Sequence, residues 1–207
     1  MKRILTPLIF VACIAAVCAA CNVATAKPVS LRIMGYNIRN CTGMDDVRDF
    51  ERGAEVLNRV SADIIALQEI DSATRRCEGI DVLGKLALMT SMHPTFGTAI
   101  DHDGGKYGVG ILSKEKPVTV RNIPLPGREE RRTLLIAEFE DYVFCCTHLS
   151  LTEEDRVASI GIIEREAAAY DKPLFIAGDF NARPESEAMV RFAGNFELLS
   201  DPAQNTF

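Results

Sequence analysis

Pro173-Leu174-Phe175-Ile176-Ala177-Gly178-Asp179-Phe180-Asn181-Ala182-Arg183-Pro184 is the stretch on which the reading of the fold turns. Leu174 to Ala177 is a short apolar run of the kind that forms a buried strand, and Gly178 is expected to turn the chain sharply at no steric cost. Asp179 and Asn181 follow, two residues apart, so they face the same way if the backbone stays extended. A strand that delivers a carboxylate and a carboxamide to a loop mouth sets polar groups on a rigid base, as binding and catalytic sites often do. Asp and Asn also populate turns that merely end a strand. The rest of the chain decides between the two.

The 207 residues are 47% hydrophobic and 25% charged, ordinary for one globular domain with a real core. A net charge of −6 argues against binding nucleic acid by bulk charge, which needs a basic face. It leaves room for a nuclease that works through a local patch and a metal ion. Residues 1–26 read as a targeting segment, with Lys2 and Arg3 before an apolar run from Leu8 to Ala20. Ala19-Ala20-Cys21 resembles a bacterial lipoprotein signal, in which Cys21 becomes the lipidated first residue. Ala24-Thr25-Ala26 offers a plain secretory cut before Lys27. Thr6 and Pro7 leave the run short of a full membrane span. Either cut exports a domain of residues 27–207, as a cell-envelope lipoprotein or a periplasmic or secreted protein.

Four cysteines then remain: Cys41, Cys77, Cys145 and Cys146. None has zinc-ligand spacing. Cys145 and Cys146 are strand neighbours on opposite faces, expected as small core residues. Cys41 and Cys77 fall in polar stretches just after predicted strands.

Taken in order, residues 30–36 alternate as a strand with Asn37 at its end, and Asp49 to Val60 has helical apolar spacing. Asp63 to Gln68 is a continuous apolar run, the pattern of a strand covered on both faces, ending in Glu69. Ile80 to Met92 reads as a second helix. Thr95 to Ile100 and Tyr107 to Leu112 flank a hairpin turn, and Pro117 to Ile123, Arg132 to Phe139 and Tyr142 to Thr147 add three strands. A third helix is expected from Thr152, with Asp155 in a capping-box position, to about Tyr170. After the opening stretch, Glu185 to Phe192 reads as a short helix. Helices on sheets of mixed strand direction make an α+β fold.

Four predicted strands thus finish in polar side chains at one end: Asn37, Glu69, His148, and Asp179 with Asn181. Carboxylate and amide oxygens suit a hard cation such as Mg²⁺ that keeps waters for a phosphate. A His beside them can protonate a leaving oxygen or steady phosphoryl charge. Each residue alone is an ordinary strand end or turn former; together they form a pattern that chance explains poorly.

The pieces Tyr36-Asn37-Ile38-Arg39, Leu67-Gln68-Glu69-Ile70-Asp71, Gly105-Lys106-Tyr107-Gly108 before Ile111-Leu112-Ser113, Thr147-His148-Leu149 and Gly178-Asp179-Phe180-Asn181 occur in the order seen in the endonuclease/exonuclease/phosphatase superfamily, which the chain resembles from residue 31 on. The resemblance implies a deoxyribonuclease-I-like fold of two packed mixed sheets flanked by helices. It implies Glu69 as chief ligand of Mg²⁺, or of Mn²⁺ in its place, with Asn37 close to metal and phosphate. Asp179 would orient or deprotonate the attacking water, Asn181 would hold the scissile phosphate, and His148 would stabilise the phosphate or assist the leaving group. Tyr107 and Arg132 would face the phosphate. Cys41 and Cys77 replace a small residue and a hydroxyl usual in similar sequences, and a disulfide between them is expected.

The chain departs from the family in one respect. Members end with an Asp in a further strand and then a Ser-Asp-His motif, whereas Ser200-Asp201 here is followed by Pro202. A catalytic domain lacking its last strands is the expectation. The function implied is an exported, monomeric, metal-dependent hydrolase of a phosphodiester or phosphomonoester, with a nucleic acid, a phospholipid headgroup or a small phosphorylated molecule as substrate. Arg75-Arg76 and Arg128 with Arg131-Arg132 are short basic clusters, read as solvated loop charges rather than a footprint for duplex DNA. The competing reading is a catalytically impaired or non-catalytic surface-binding protein of the same fold.

Overall fold

The structure, a computed structural model, describes residues 30–201 and Ala203. The targeting segment expected over residues 1–26, with Cys21, lies outside the described residues. Among those described, eight strands form two four-stranded sheets. The first runs β1-β2-β4-β3, from β1 (Ile33–Asn37), β2 (Ile64–Ser72), β3 (His93–His102) and β4 (Gly105–Ser113). The second runs β5-β6-β7-β8, from β5 (Thr119–Leu125), β6 (Arg132–Glu138), β7 (Val143–His148) and β8 (Leu174–Asp179). The pairs β1/β2 and β7/β8 are parallel and the others antiparallel, so both sheets are mixed, as expected.

Helices α1 (Phe50–Val60) and α2 (Val82–Thr90) cover the first sheet, and α3 (Glu153–Ala167) and α4 (Glu187–Ala193) cover the second. Asp49 caps α1 by accepting the Arg52 amide at 2.8 Å, and left-handed Ser61 ends it. The capping box expected at α3 is not made. Asp155 is taken by the Arg128 backbone N–H at 2.9 Å and by its guanidinium, and Thr152 makes no side-chain cap.

Strand alternation sorts the core into layers. In β2, Ile64 and Ala66 face the other sheet, where they meet Leu135, Ala137, Phe144 and Cys146, while Ile65 and Leu67 face α1 and α2. In β7, Phe144 and Cys146 face inward and Val143 and Cys145 face α3 and α4, the opposite-face placement expected of the two cysteines. Each such fully buried Leu, Ile or Phe side chain contributes about 1.5–3 kcal/mol.

Three expectations are corrected. The strand holding Leu174 to Ala177 is not fully buried: β8 pairs only with β7 among the described strands, and these side chains are half-buried. Gly178 does not turn the chain but continues β8, paired with Thr147; a Cβ there would stand 2.1 Å from the Thr147 carbonyl oxygen. Close approach of backbones, not a turn, requires that glycine. The Cys41–Cys77 bridge is not formed. Both thiols are free and buried rather than in polar loops, and Cys77 Sγ is occupied by Asn40 Nδ2 at 2.8 Å and Asp71 Oδ2 at 3.3 Å.

Candidate active site

Three inward-facing rows run off the ends of their strands into one mouth. Ile33 and Gly35 lead to Asn37, Phe144 and Cys146 to His148, and Phe175 and Ala177 to Asp179. The parallel pairings bring Asn37 beside β2, and Asp179 directly opposite His148. The sheets approach closely here, since a Cβ on Gly35 would lie 3.7 Å from the Ala177 Cβ.

Glu69 arrives by another route. It lies inside β2, not at its end, at a bulge between Gln68 and Ile70, with a left-handed φ of 59°. Gln68 pairs with Val109 and Ile70 with the next residue along, Gly108. Glu69 is therefore the extra residue, and Ile70 takes up the helix-facing row of Leu67. A left-handed non-glycine residue costs roughly 1–2 kcal/mol and persists where surroundings enforce it, often at functional sites.

Asn37 joins the two halves. Its Nδ2 donates to Glu69 Oε1 at 2.8 Å and to Asp179 Oδ2 at 3.1 Å, while its Oδ1 accepts the Arg39 N–H at 3.0 Å. The amide thus turns its nitrogen, not its oxygen, towards the acids. Asp179 Oδ1 accepts the backbone N–H of Asn181 at 3.0 Å, which makes the Asx turn real as well. Asn181 has φ 48°, so the two side chains do not share a direction as an extended chain would have them. Its Nδ2 donates to the Leu149 carbonyl at 2.9 Å.

His148 is 8% exposed, with Nε2 3.8 Å from Asp179 Oδ2 and Nδ1 3.4 Å from Arg132 NH1. Burial and then the Arg132 charge push its pKa below the ordinary value, against the pull of Asp179 and Glu69. Arg132, expected to face a phosphate, is 7% exposed and held by Glu130 Oε1 at 3.0 Å and Glu129 Oε1 at 3.3 Å. Tyr107 stands on β4 under the Arg76 guanidinium, 5.6 Å from its ring centre; burial first, then Glu69 and Glu130, push its hydroxyl pKa up. Glu129 and Glu130 belong to this site although no role for them is expected from the sequence. Their signal was available: two acids beside Arg131-Arg132, at the mouth of an otherwise apolar strand.

The donors fit a hard cation. Two carboxylates converge on one amide nitrogen, and the second oxygen of Glu69 makes no hydrogen bond among the described residues. No group of three or more His, Cys, Asp or Glu side chains placed to hold a metal ion by themselves occurs among the described residues. Mg²⁺ needs only one or two carboxylates and completes its shell with water and phosphate, unlike the closed Cys and His set of a structural zinc.

Solved structures share this architecture. An endonuclease/exonuclease/phosphatase from Beutenbergia cavernae DSM 12333 is 24% identical over 74% of this chain and 48% of its own, with a TM-score of 0.60. A family protein from Bacteroides thetaiotaomicron is 18% identical over 82% and 69%, with a TM-score of 0.65. The human Nocturnin catalytic domain, solved with a bound sulfate anion, is 22% identical over 79% and 69%, with a TM-score of 0.58. At these identities the likeness is one of fold, and the chain spans about half of the Beutenbergia protein. No curated protein matches the chain. The model of the Endonuclease/Exonuclease/phosphatase family matches residues 34–207, a stretch that contains both sheets but for Ile33 and every side chain of the mouth between them; to that family the chain belongs.

Proposed function

We propose that the chain is a divalent-metal-dependent phosphoesterase. The observation that carries this is the single Asn37 amide bonded to Glu69 from one sheet and Asp179 from the other. Glu69 would hold Mg²⁺, or Mn²⁺, with Asn37 fixing the carboxylate. The ion, when bound, supplies Lewis-acid stabilisation of charge on a phosphoryl oxygen. Asp179, fixed by Asn37 and by the Asn181 N–H, is placed to orient and deprotonate a water. His148, opposite it, offers an N–H to the phosphoryl or leaving oxygen. Asn181, anchored on Leu149, has a second amide N–H for the phosphate. Tyr107, across from Asp71 and within reach of the Glu69 charge, would face the same phosphate.

The basic side chains near the mouth are largely paired with acids: Arg132 with Glu129 and Glu130, Arg76 with Asp71, Arg75 with Asp103. That favours a compact phosphate ester over duplex DNA, whose backbone needs a run of unpaired cations. Export through residues 1–26, with a lipid anchor on Cys21, belongs to the same proposal, as does a monomeric state; fractionation of cells expressing the Cys21→Ala variant tests the anchor.

Purified protein is assayed with Mg²⁺ on bis-p-nitrophenyl phosphate, a phosphomonoester, plasmid DNA and sphingomyelin. Turnover that EDTA abolishes and Mg²⁺ restores is the expected result. Activity indifferent to EDTA, or none on any ester, defeats the proposal.

A further inference from the structure

The contact between Arg132 and His148 decides which ring nitrogen carries the proton. Arg132 NH1 lies 3.4 Å from His148 Nδ1. A guanidinium has donors, no acceptor, and does not deprotonate in proteins, so Nδ1 can only accept across this contact. The proton of the ring then sits on Nε2, the nitrogen 3.8 Å from Asp179 Oδ2 and facing the mouth.

The guanidinium is not free to swing away. Glu130 Oε1 takes NH1 at 3.0 Å and Glu129 Oε1 takes NH2 at 3.3 Å. Glu129 is itself pinned by the Leu151 N–H at 2.7 Å and the Ser150 hydroxyl at 2.9 Å. Burial works against its ionisation, but those bonds and Arg132 hold its pKa down to about 2. An anchored acid thus holds a buried base, which in turn holds the ring.

We propose that Arg132, clamped by Glu129 and Glu130, is a positioning residue that locks His148 as a neutral Nε2–H donor, so that His148 serves the reaction through a hydrogen bond and keeps its proton throughout. The alternative role, an imidazolium that gives a proton to the leaving oxygen, needs both ring nitrogens protonated. That would break the Arg132 contact and set two cations together in a buried place; Asp179, Glu69 and Glu129 pull the other way, but burial and the Arg132 charge outweigh them. The consequence for catalysis rests on the phosphoesterase reading; the tautomer does not.

The test begins with ¹⁵N shifts of histidine-labelled, otherwise unaltered protein near neutral pH. The chain has three histidines, so His93→Gln and His102→Gln assign the third. An unprotonated Nδ1 and a protonated Nε2 are expected; a protonated Nδ1 overturns the proposal whether or not any substrate is turned over. Arg132→Met, with its fold checked by circular dichroism, should release the preference and give a mixed tautomer, and an unchanged spectrum counts against the lock. With bis-p-nitrophenyl phosphate, His148→Gln keeps an amide N–H near the Nε2 position but has no proton to give. It should stay within about tenfold of the parent, whereas His148→Ala loses roughly 10²–10³-fold. A loss of about 10²-fold or more in the Gln variant, the usual mark of a missing general acid, overturns the proposal. Should the parent protein hydrolyse nothing, the phosphoesterase reading fails while the spectrum still decides the tautomer.

Discussion

Glu69 and Asp71 stand two residues apart on β2, and what separates them is how fully each is satisfied. Asp71 is fully buried and accepts from Thr74 Oγ1, Arg76 Nε and Arg76 NH2, all at 2.6 Å, from Asn40 Nδ2 at 3.2 Å and from the Cys77 thiol at 3.3 Å. Burial pushes its pKa up, but Arg76, Thr74 and Cys77 outweigh it, so the carboxyl lies below the ordinary value. Glu69 is half-buried, strained at φ 59°, and takes one hydrogen bond, from Asn37. A saturated acid holds loops in place. An unsaturated acid in a strained backbone contributes little to stability, and its surroundings keep it for what it can bind.

The sharpest way to break this contrast is to neutralise each acid in turn. Glu69→Gln and Asp179→Asn should each cost about 10²-fold or more in kcat/KM with little change in melting temperature. Asp71→Asn should do the opposite. Leaving Arg76 without its partner should cost about 2–3 kcal/mol in chemical denaturation, towards the low end for a broken buried pair because Arg76 is partly exposed. The folded fraction should keep activity within about tenfold. An inactive but fully stable Asp71→Asn protein would erase the distinction.

Acid sharpens the comparison further. Because the folded pKa of Asp71 is lowered, its contribution is complete above the ordinary carboxylate value and is lost as pH falls through the folded value. Stability followed by urea unfolding should therefore decline below about pH 4, and the decline should be shallower in Asp71→Asn. The smallest effect on stability is expected of Glu69→Gly. Glycine removes roughly 1–2 kcal/mol of left-handed strain and adds roughly 0.5–1 kcal/mol of chain entropy, so stability should stay within about 1 kcal/mol while turnover disappears. A large loss of stability would mean that Glu69 is structural after all.

Alternation explains what could be read from the chain and what could not. Asn37, His148 and Asp179 each extend an inward row of small or apolar residues, so their convergence follows from a period of two. Glu69 breaks that rule. Counting by twos from Ile65 and Leu67 sends it towards the helices, and only pairing with β4 reveals the extra residue that turns it to the mouth. Sheet order is equally non-local: nothing within residues 173–184 tells that β8 has a neighbour on one side only among the described strands. Cys41 and Cys77 looked exposed because the residues around them are polar. Both are buried in the apolar cluster beneath α1 and α2, where the polar groups nearest Cys77 bond one another, Asn40 Nδ2 donating to Asp71 and to the thiol. Arg132 is a similar case, since a charge at a strand mouth looks solvated until Glu129 and Glu130 are seen to close over it.

The ladder between β2 and β4 steps from Gln68 to Ile70 as though no residue stood between them. Excising Glu69 would leave an uninterrupted strand whose apolar side chains already point where a regular pleat would send them. The principal acid of the mouth is thus a guest in the sheet, carried by it and unnecessary to it. Loss of function by a single-codon deletion there would leave behind a better-ordered protein.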